Sequence, residues 1–157
     1  MRVAIKDANI FIDLEMADLF DLFFQLELEI HTSSFIVEEL GVGEHRRALS
    51  YVRGGLITVH EFAFTEVAKI RQLMSEVKQA AKFNDCSVLY LAEKLEAPLL
   101  TGDGALRQSA QKRGIKVMGT LWIFDQLIAT DLLHPEVAST KLQHLLDAGR
   151  FLPLVEC

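Results

Sequence analysis

Acidic residues recur where this chain passes from strand-like into helix-like sequence. Asp7 follows the apolar run Arg2–Lys6, and Asp103 follows Ala97–Thr101. Asn84-Asp85 stands at the mouth of the helical stretch Cys86–Leu95, and Glu38-Glu39 lies just past Leu28–His31 and Thr32-Ser33-Ser34. Carboxylates gathered at one edge of a sheet repel one another unless a cation sits among them. Hard divalent cations such as Mg²⁺ or Mn²⁺ bind oxygen ligands of this kind. Each acid also has a local use. Asp7 and Asp103 suit helix N-caps, Asp85 suits the dipole of a first helical turn, and Glu38 and Glu39 suit a solvated helix face. Caps scatter over both ends of a sheet, whereas a metal site needs its acids at one end.

The elements that must position them follow from periodicity. Arg2–Lys6, Leu28–His31, Ala97–Thr101 and Ile115–Met118 read as short buried strands, and Leu56–Val59 as a brief β-prone run. Helical spacing covers Asn9–Leu26, with Ile10, Leu14, Ala17, Phe20 and Phe24 apolar and Asp13, Asp18, Asp21 and Gln25 on a polar face. Further helices are predicted at Phe35–Leu40, His45–Val52, Phe64–Val77, Cys86–Leu95, after Gly102-Asp103-Gly104 to about Lys112, Leu121–Ile128 and Val137–Leu146. Gly54-Gly55 and Arg113-Gly114 supply stops. Helices alternating with short buried strands predict an α/β chain around a mostly parallel sheet, whose ligands bind beyond the carboxyl ends of the strands. No repeat or linker interrupts residues 1–157, which predicts a single domain. The Phe-rich segment Leu19–Leu26 and the last Leu-rich helix read either as core or as an apolar docking face.

With 157 residues, half of them apolar and a quarter charged, the chain can build a core without staples, and disorder and low complexity are excluded. Cys86 and Cys157 form no CxxC, so a zinc ribbon and a dithiol redox motif are excluded. The five histidines show no ligand spacing and read as surface or satisfied residues. Only three consecutive apolar residues precede Lys6, and Asp18, Asp21, Glu27 and Glu29 break the richest apolar stretch. Neither a signal h-region nor a membrane span is predicted, and the expected location is the cytoplasm. No Gly-x-Gly-x-x-Gly or Walker loop occurs.

In order and spacing these segments resemble the PIN-domain nuclease family, of the toxin-ribonuclease type, over nearly the whole chain. Val3-Ala4-Ile5-Lys6-Asp7-Ala8-Asn9 looks like the family's first strand and first metal-binding aspartate, with a small polar residue two positions on. Ser33-Ser34-Phe35-Ile36-Val37-Glu38-Glu39-Leu40 resembles the segment carrying the second acid; the Glu before Leu points to Glu39, with Glu38 the alternative. Asn84-Asp85 followed by Leu91-Ala92 resembles the third-acid helix. Thr101-Gly102-Asp103-Gly104-Ala105-Leu106-Arg107 looks like the Thr-x-Asp-x-x-Leu-Arg motif, and Gly119-Thr120 continues the pattern.

The resemblance implies a three-layer α/β/α sandwich and a metal-dependent phosphodiesterase, an endoribonuclease in most members. Asp7, Glu39, Asp85 and Asp103 would be the catalytic metal ligands for Mg²⁺ or Mn²⁺. Asn9 and Thr101 would orient ligands or water, and Arg107 would meet the substrate phosphate. Attack by activated water would leave a 5′-phosphate and a 3′-hydroxyl. Homodimerisation and an antitoxin partner, with RNA as substrate and no membrane, complete the implied picture. The alternative from another class is a non-catalytic scaffold that keeps the fold for protein interaction. A haloacid-dehalogenase-type phosphotransferase fits poorly, because Asn9 stands where that family needs a second Asp.

The formal net charge of −6 argues against unspecific coating of nucleic acid, yet it is unevenly spread. Residues 1–45 carry 2 basic and 10 acidic side chains, and residues 46–116 carry 12 basic and 7 acidic. The basic middle (Arg46, Arg47, Arg53, Lys69, Arg71, Lys78, Lys82, Arg107, Lys112, Arg113) could track a phosphate backbone or form solvated helix faces.

Overall fold

The computed structural model describes residues 1–5, 8–43, 45–77, 82–150 and 152, with residues 4, 5 and 8 described by their backbone alone. Five strands, β1 (Arg2–Ile5), β2 (Glu29–Ser33), β3 (Ile57–His60), β4 (Leu99–Leu100) and β5 (Val117–Met118), form one sheet in the order β3-β2-β1-β4-β5. All four pairings are parallel. The strands are short, but the ladder runs past the last two: Leu99 N–H donates to Lys116 O and Thr101 N–H to Met118 O.

The helices are α1 (Ala8–Met16), α2 (Phe20–Phe23), α3 (Ser34–Val42), α4 (Arg46–Arg53), α5 (Phe64–Glu76), α6 (Phe83–Leu95), α7 (Gly104–Lys112), α8 (Thr120–Ala129) and α9 (Pro135–Asp147). From β1 the chain steps outward through β2 to β3, then crosses back to β4 and β5 on the other side. Right-handed crossovers therefore put α1–α4 on one face and α5–α7 on the other. α8 packs on α1 and α2, and α9 on α8. The result is a three-layer α/β/α sandwich, as the family resemblance implies, around the parallel sheet that the alternation of elements predicts.

The core lies on both faces of the sheet. α6 buries Cys86, Ser87, Val88, Leu89, Leu91 and Ala92, nearly its whole circumference, because it touches β1, β2 and β4 as well as α5 and α3. Opposite it, α1 contributes Ile10, Phe11 and Leu14, and Ala17 just past its end joins them in the core with Phe20 and Phe23. The Phe-rich segment is thus core. Among the described residues no helix is long and apolar enough to cross a membrane.

Three local expectations change. The helix expected over Asn9–Leu26 is broken in two. Asp18 takes a left-handed φ of 51°, so that Leu19 N–H donates to Leu14 O and Asp18 N–H to Glu15 O. This is the double bond of a Schellman stop made without glycine. The corner is held from outside by Arg47, which pairs with Asp18 at 3.0 Å and lies over the Phe20 ring at 5.6 Å. Strand β2 runs on to Ser33, two residues past the expected end, because Thr32 and Ser33 pair with Val59 and His60. Asp13, expected on the polar face, is buried at 5% exposure.

Candidate functional site

In an open parallel sheet the ligand crevice opens where strand order reverses, at the carboxyl ends. Here that point lies between β1 and β4. Beyond β4 the chain runs Thr101-Gly102-Asp103 into α7. Thr101 is fully buried, and its Oγ1 accepts the Asp103 N–H at 3.1 Å. Asp103 in turn caps α7, with Oδ1 accepting from the backbone N–H of Ala105 and Leu106 at 2.9 and 3.0 Å. The cap fixes the carboxylate's direction while a carboxylate retains further acceptor sites. Capping and cation binding are therefore compatible uses of one side chain.

Asp85 lies in the first turn of α6, its Oδ2 accepting the Lys82 N–H at 3.3 Å. Two contacts bring that helix end to the carboxyl end of β2 and the start of α3. Ser87 Oγ donates to Ser33 Oγ at 2.8 Å, and Asn84 Nδ2 donates to Phe35 O at 3.5 Å. Ser33, the last residue of β2, accepts the Phe35 N–H and so caps α3. Glu38 and Glu39 follow on that helix, both exposed, while Ile36 and Leu40 point into the core. Glu38 or Glu39, Asp85 and Asp103 thus stand on three elements whose relevant ends meet the same edge of the sheet. Asp7, the fourth expected ligand, lies outside the described residues. Among the described residues no group of three His, Cys, Asp or Glu side chains is close enough to hold a metal. The side chains expected as ligands are carboxylates, the oxygen donors that a hard divalent cation takes.

Sequence reasoning missed a buried polar group of this edge. Buried Asp13 accepts from Thr120 Oγ1 at 2.7 Å and from Arg150 Nε at 2.5 Å. Arg150 Nη2 also donates to Asn9 O and Asn9 Oδ1, both at 3.3 Å. Asn9, expected to orient ligands, is in this way tied to the turn that follows α9. Arg107 reaches over Gly119, where a Cβ would stand 3.1 Å from its Nη2, and donates to Thr101 O at 3.4 Å. Burial lowers the pKa of its guanidinium. The signals in the sequence are Gly119-Thr120, which continues the family pattern, and Asp13, which helical spacing places on a polar face.

Among the described residues, three basic residues of the middle segment are seen paired elsewhere: Arg47 with Asp18, Lys94 with Glu66, and Arg113 with Glu93 and Glu76. His31 and His60 face one another across β2 and β3, with His31 Nδ1 2.9 Å from His60 Nε2. Burial, then the neighbouring His31 and Lys94, hold the His60 pKa below its ordinary value. Cys86 is buried, and burial followed by the Asp85 charge pushes its thiol up to about 11. It is a packing residue rather than a nucleophile.

A family model described as a PIN domain matches residues 3–154. Comparison with curated proteins returns no significant match. Among solved structures, the chain is similar to the VapBC2 complex from Rickettsia felis bound to a promoter DNA fragment, with 14% identity, a TM-score of 0.53, and 76% of this chain and 98% of that chain covered. It is equally similar to a PilT N-terminus domain protein from the archaeon Sulfolobus solfataricus, with 13% identity, a TM-score of 0.53, and coverage of 85% and 96%. At such identities these likenesses speak to the fold, which they share with this chain. The match of a family model to almost the whole sequence goes further: the chain belongs to the PIN-domain family.

Proposed function

We propose that this protein is a metal-dependent phosphodiesterase that cleaves RNA, with Asp7, Glu39, Asp85 and Asp103 holding Mg²⁺ or Mn²⁺ and Glu38 as the alternative second ligand. The observation that carries the reading is the placement of Asp103, Asp85 and the Glu38-Glu39 pair at one edge of an all-parallel sheet, beside its point of strand reversal. A bound divalent cation supplies an activated water and neutralises charge on the scissile phosphate. The chain's own residues do the positioning. The α7 cap holds the Asp103 carboxylate, the Thr101 hydroxyl holds the Asp103 backbone, and Arg150 holds Asn9. Arg107, at the same edge, is placed to meet a substrate phosphate. In-line attack gives a 5′-phosphate and a 3′-hydroxyl. We further propose a single cytoplasmic domain that acts as the toxin of a toxin–antitoxin pair and as a homodimer, the VapBC2 likeness and the family membership being what supports it.

A second reading, a non-catalytic scaffold, draws on the fact that Asp85 and Asp103 both have structural uses as caps. Metal-linked stability separates the two. A ligand that binds only the folded state stabilises it by about 2.7 kcal/mol at a hundredfold excess over Kd, which for this size shifts the midpoint by several degrees. We expect Mn²⁺ to raise the thermal midpoint of the wild type and much less that of Asp103→Asn or Asp7→Asn. Asn preserves an N-cap, so Asp103→Asn should fold normally. A wild type indifferent to Mn²⁺ and Mg²⁺ would favour the scaffold.

A further inference from the structure

Beside the carboxylates, a cavity of about 230 Å³ opens between the starts of α1 and α8, the β4–α7 turn and the turn after α9. Asn9, Asp13, Arg107, Gly119, Thr120 and Arg150 line it. Among the described residues that line it, two are arginines, Arg107 from α7 and Arg150 from the C-terminal turn, and Asp13 is a carboxylate. That carboxylate already accepts from Thr120 and from Arg150. Because Gly119 has no Cβ, the Arg107 guanidinium can lie across it. Arg150 is only 24% exposed and is held at a fixed angle by Asp13 and Asn9. The cations are pre-positioned and partly desolvated, the state in which an arginine recognises a phosphate most strongly.

We propose that this cavity is a phosphate subsite for the RNA strand, taking a backbone phosphate adjacent to the one cleaved, with Arg107 and Arg150 as its anchors and Asp13 as the residue that positions Arg150. The inference rests on the nuclease reading above and adds to it the C-terminal turn, some 140 residues from Asn9 in sequence. It also gives buried Asp13 a purpose, since a buried carboxylate in a surface helix is costly without one. The ligand is a phosphodiester of a chain; free inorganic phosphate shares the chemistry and is the competing source.

The test is binding of a fluorescent single-stranded RNA 12-mer in EDTA, where nothing is cleaved, read as Kd against salt. Arg107→Gln and the charge-neutral pair Asp13→Asn with Arg150→Gln should each weaken binding about tenfold. Each should also lower the salt slope by about 0.7, the value for one lost phosphate contact on a single strand. The double variant keeps hydrogen-bonding groups in place of the buried ion pair, and thermal midpoints within a few degrees of wild type identify folded variants. Inorganic phosphate at millimolar concentration should compete weakly; if it displaces the RNA fully at micromolar concentration, the cavity is a free-anion site and the proposal fails. Folded variants with unchanged Kd and slope overturn it too, as does a wild type that does not bind RNA. In Mg²⁺ the same variants should raise KM more than they lower kcat. Wild-type cleavage with unchanged KM in the variants would sink the subsite and leave the nuclease reading standing.

Discussion

The two edges of the sheet are built differently. At the amino edge, the larger cavity, about 470 Å³, opens between the ends of α6 and α7 and is lined by Ala97, Pro98, Arg113 and Ile115 among others. Its arginine is satisfied by Glu93 and Glu76 on the surface, and those charges face water. At the carboxyl edge, the cavity is about half that size, but its polar side chains converge from α1 (Asn9, Asp13), α7 (Arg107), α8 (Thr120) and the turn after α9 (Arg150), with Asp13 and Thr120 buried. Volume alone would choose the amino edge. Chemistry needs groups drawn from distant parts of the chain and held in place, and only the smaller cavity has them.

Stability measurements can break that contrast. Removing one partner of a buried, hydrogen-bonded pair leaves an uncompensated group and costs about 3 kcal/mol, whereas exposed ion pairs contribute about 0–1 kcal/mol. Asp13→Ala should therefore lower the unfolding free energy by about 3 kcal/mol in a denaturant titration, while Arg113→Ala at the opposite edge should cost under about 1 kcal/mol. Equal losses would mean that the carboxyl edge is no more tightly organised than the amino edge.

A smaller effect sharpens the same point through pH. His60 ends β3 at the carboxyl edge, and its folded pKa lies below the unfolded value because burial and His31 disfavour its charged form. Below its ordinary pKa, about 6.5, the unfolded chain binds the proton more readily than the folded one. Stability from the neutral ring is present above pH ~6.5 and is lost as pH falls through that value toward the lower folded pKa. The thermal midpoint of the wild type should drop more between pH 7 and pH 5 than that of His60→Gln. Parallel curves would show that the His31–His60 pair carries no such cost.

Much of the architecture was legible in the sequence because it rests on local pattern. Short apolar runs alternating with helical spacing gave the parallel α/β sheet, and Gly55 and Gly114, both left-handed at helix ends, marked real stops. The break at Asp18 was not legible. Asp18, Glu27, Glu96 and Asp131 take the same left-handed conformation without being glycine, so those ends carry no residue-level signal. The helix-start positions of Asp85 and Asp103 followed from strand-to-helix order alone. Asp13 did not, because amphipathic counting sends every polar residue outward, and its partners Thr120 and Arg150 are 107 and 137 residues away. The His31–His60 pairing escaped for the same reason: strand register, not spacing in sequence, brings the rings together.

The proposed metal-dependent ribonuclease activity rests on the carboxyl-edge acids. The direct measurement is cleavage of a labelled single-stranded RNA by the purified protein with Mg²⁺ or Mn²⁺, repeated with EDTA and with Asp103→Asn. The account predicts products ending in 5′-phosphate and 3′-hydroxyl, no cleavage in EDTA, and a loss of at least about a hundredfold in Asp103→Asn, since Asn keeps the α7 cap but loses the ligand charge. Cleavage that persists in EDTA and in the Asp103→Asn protein would contradict it.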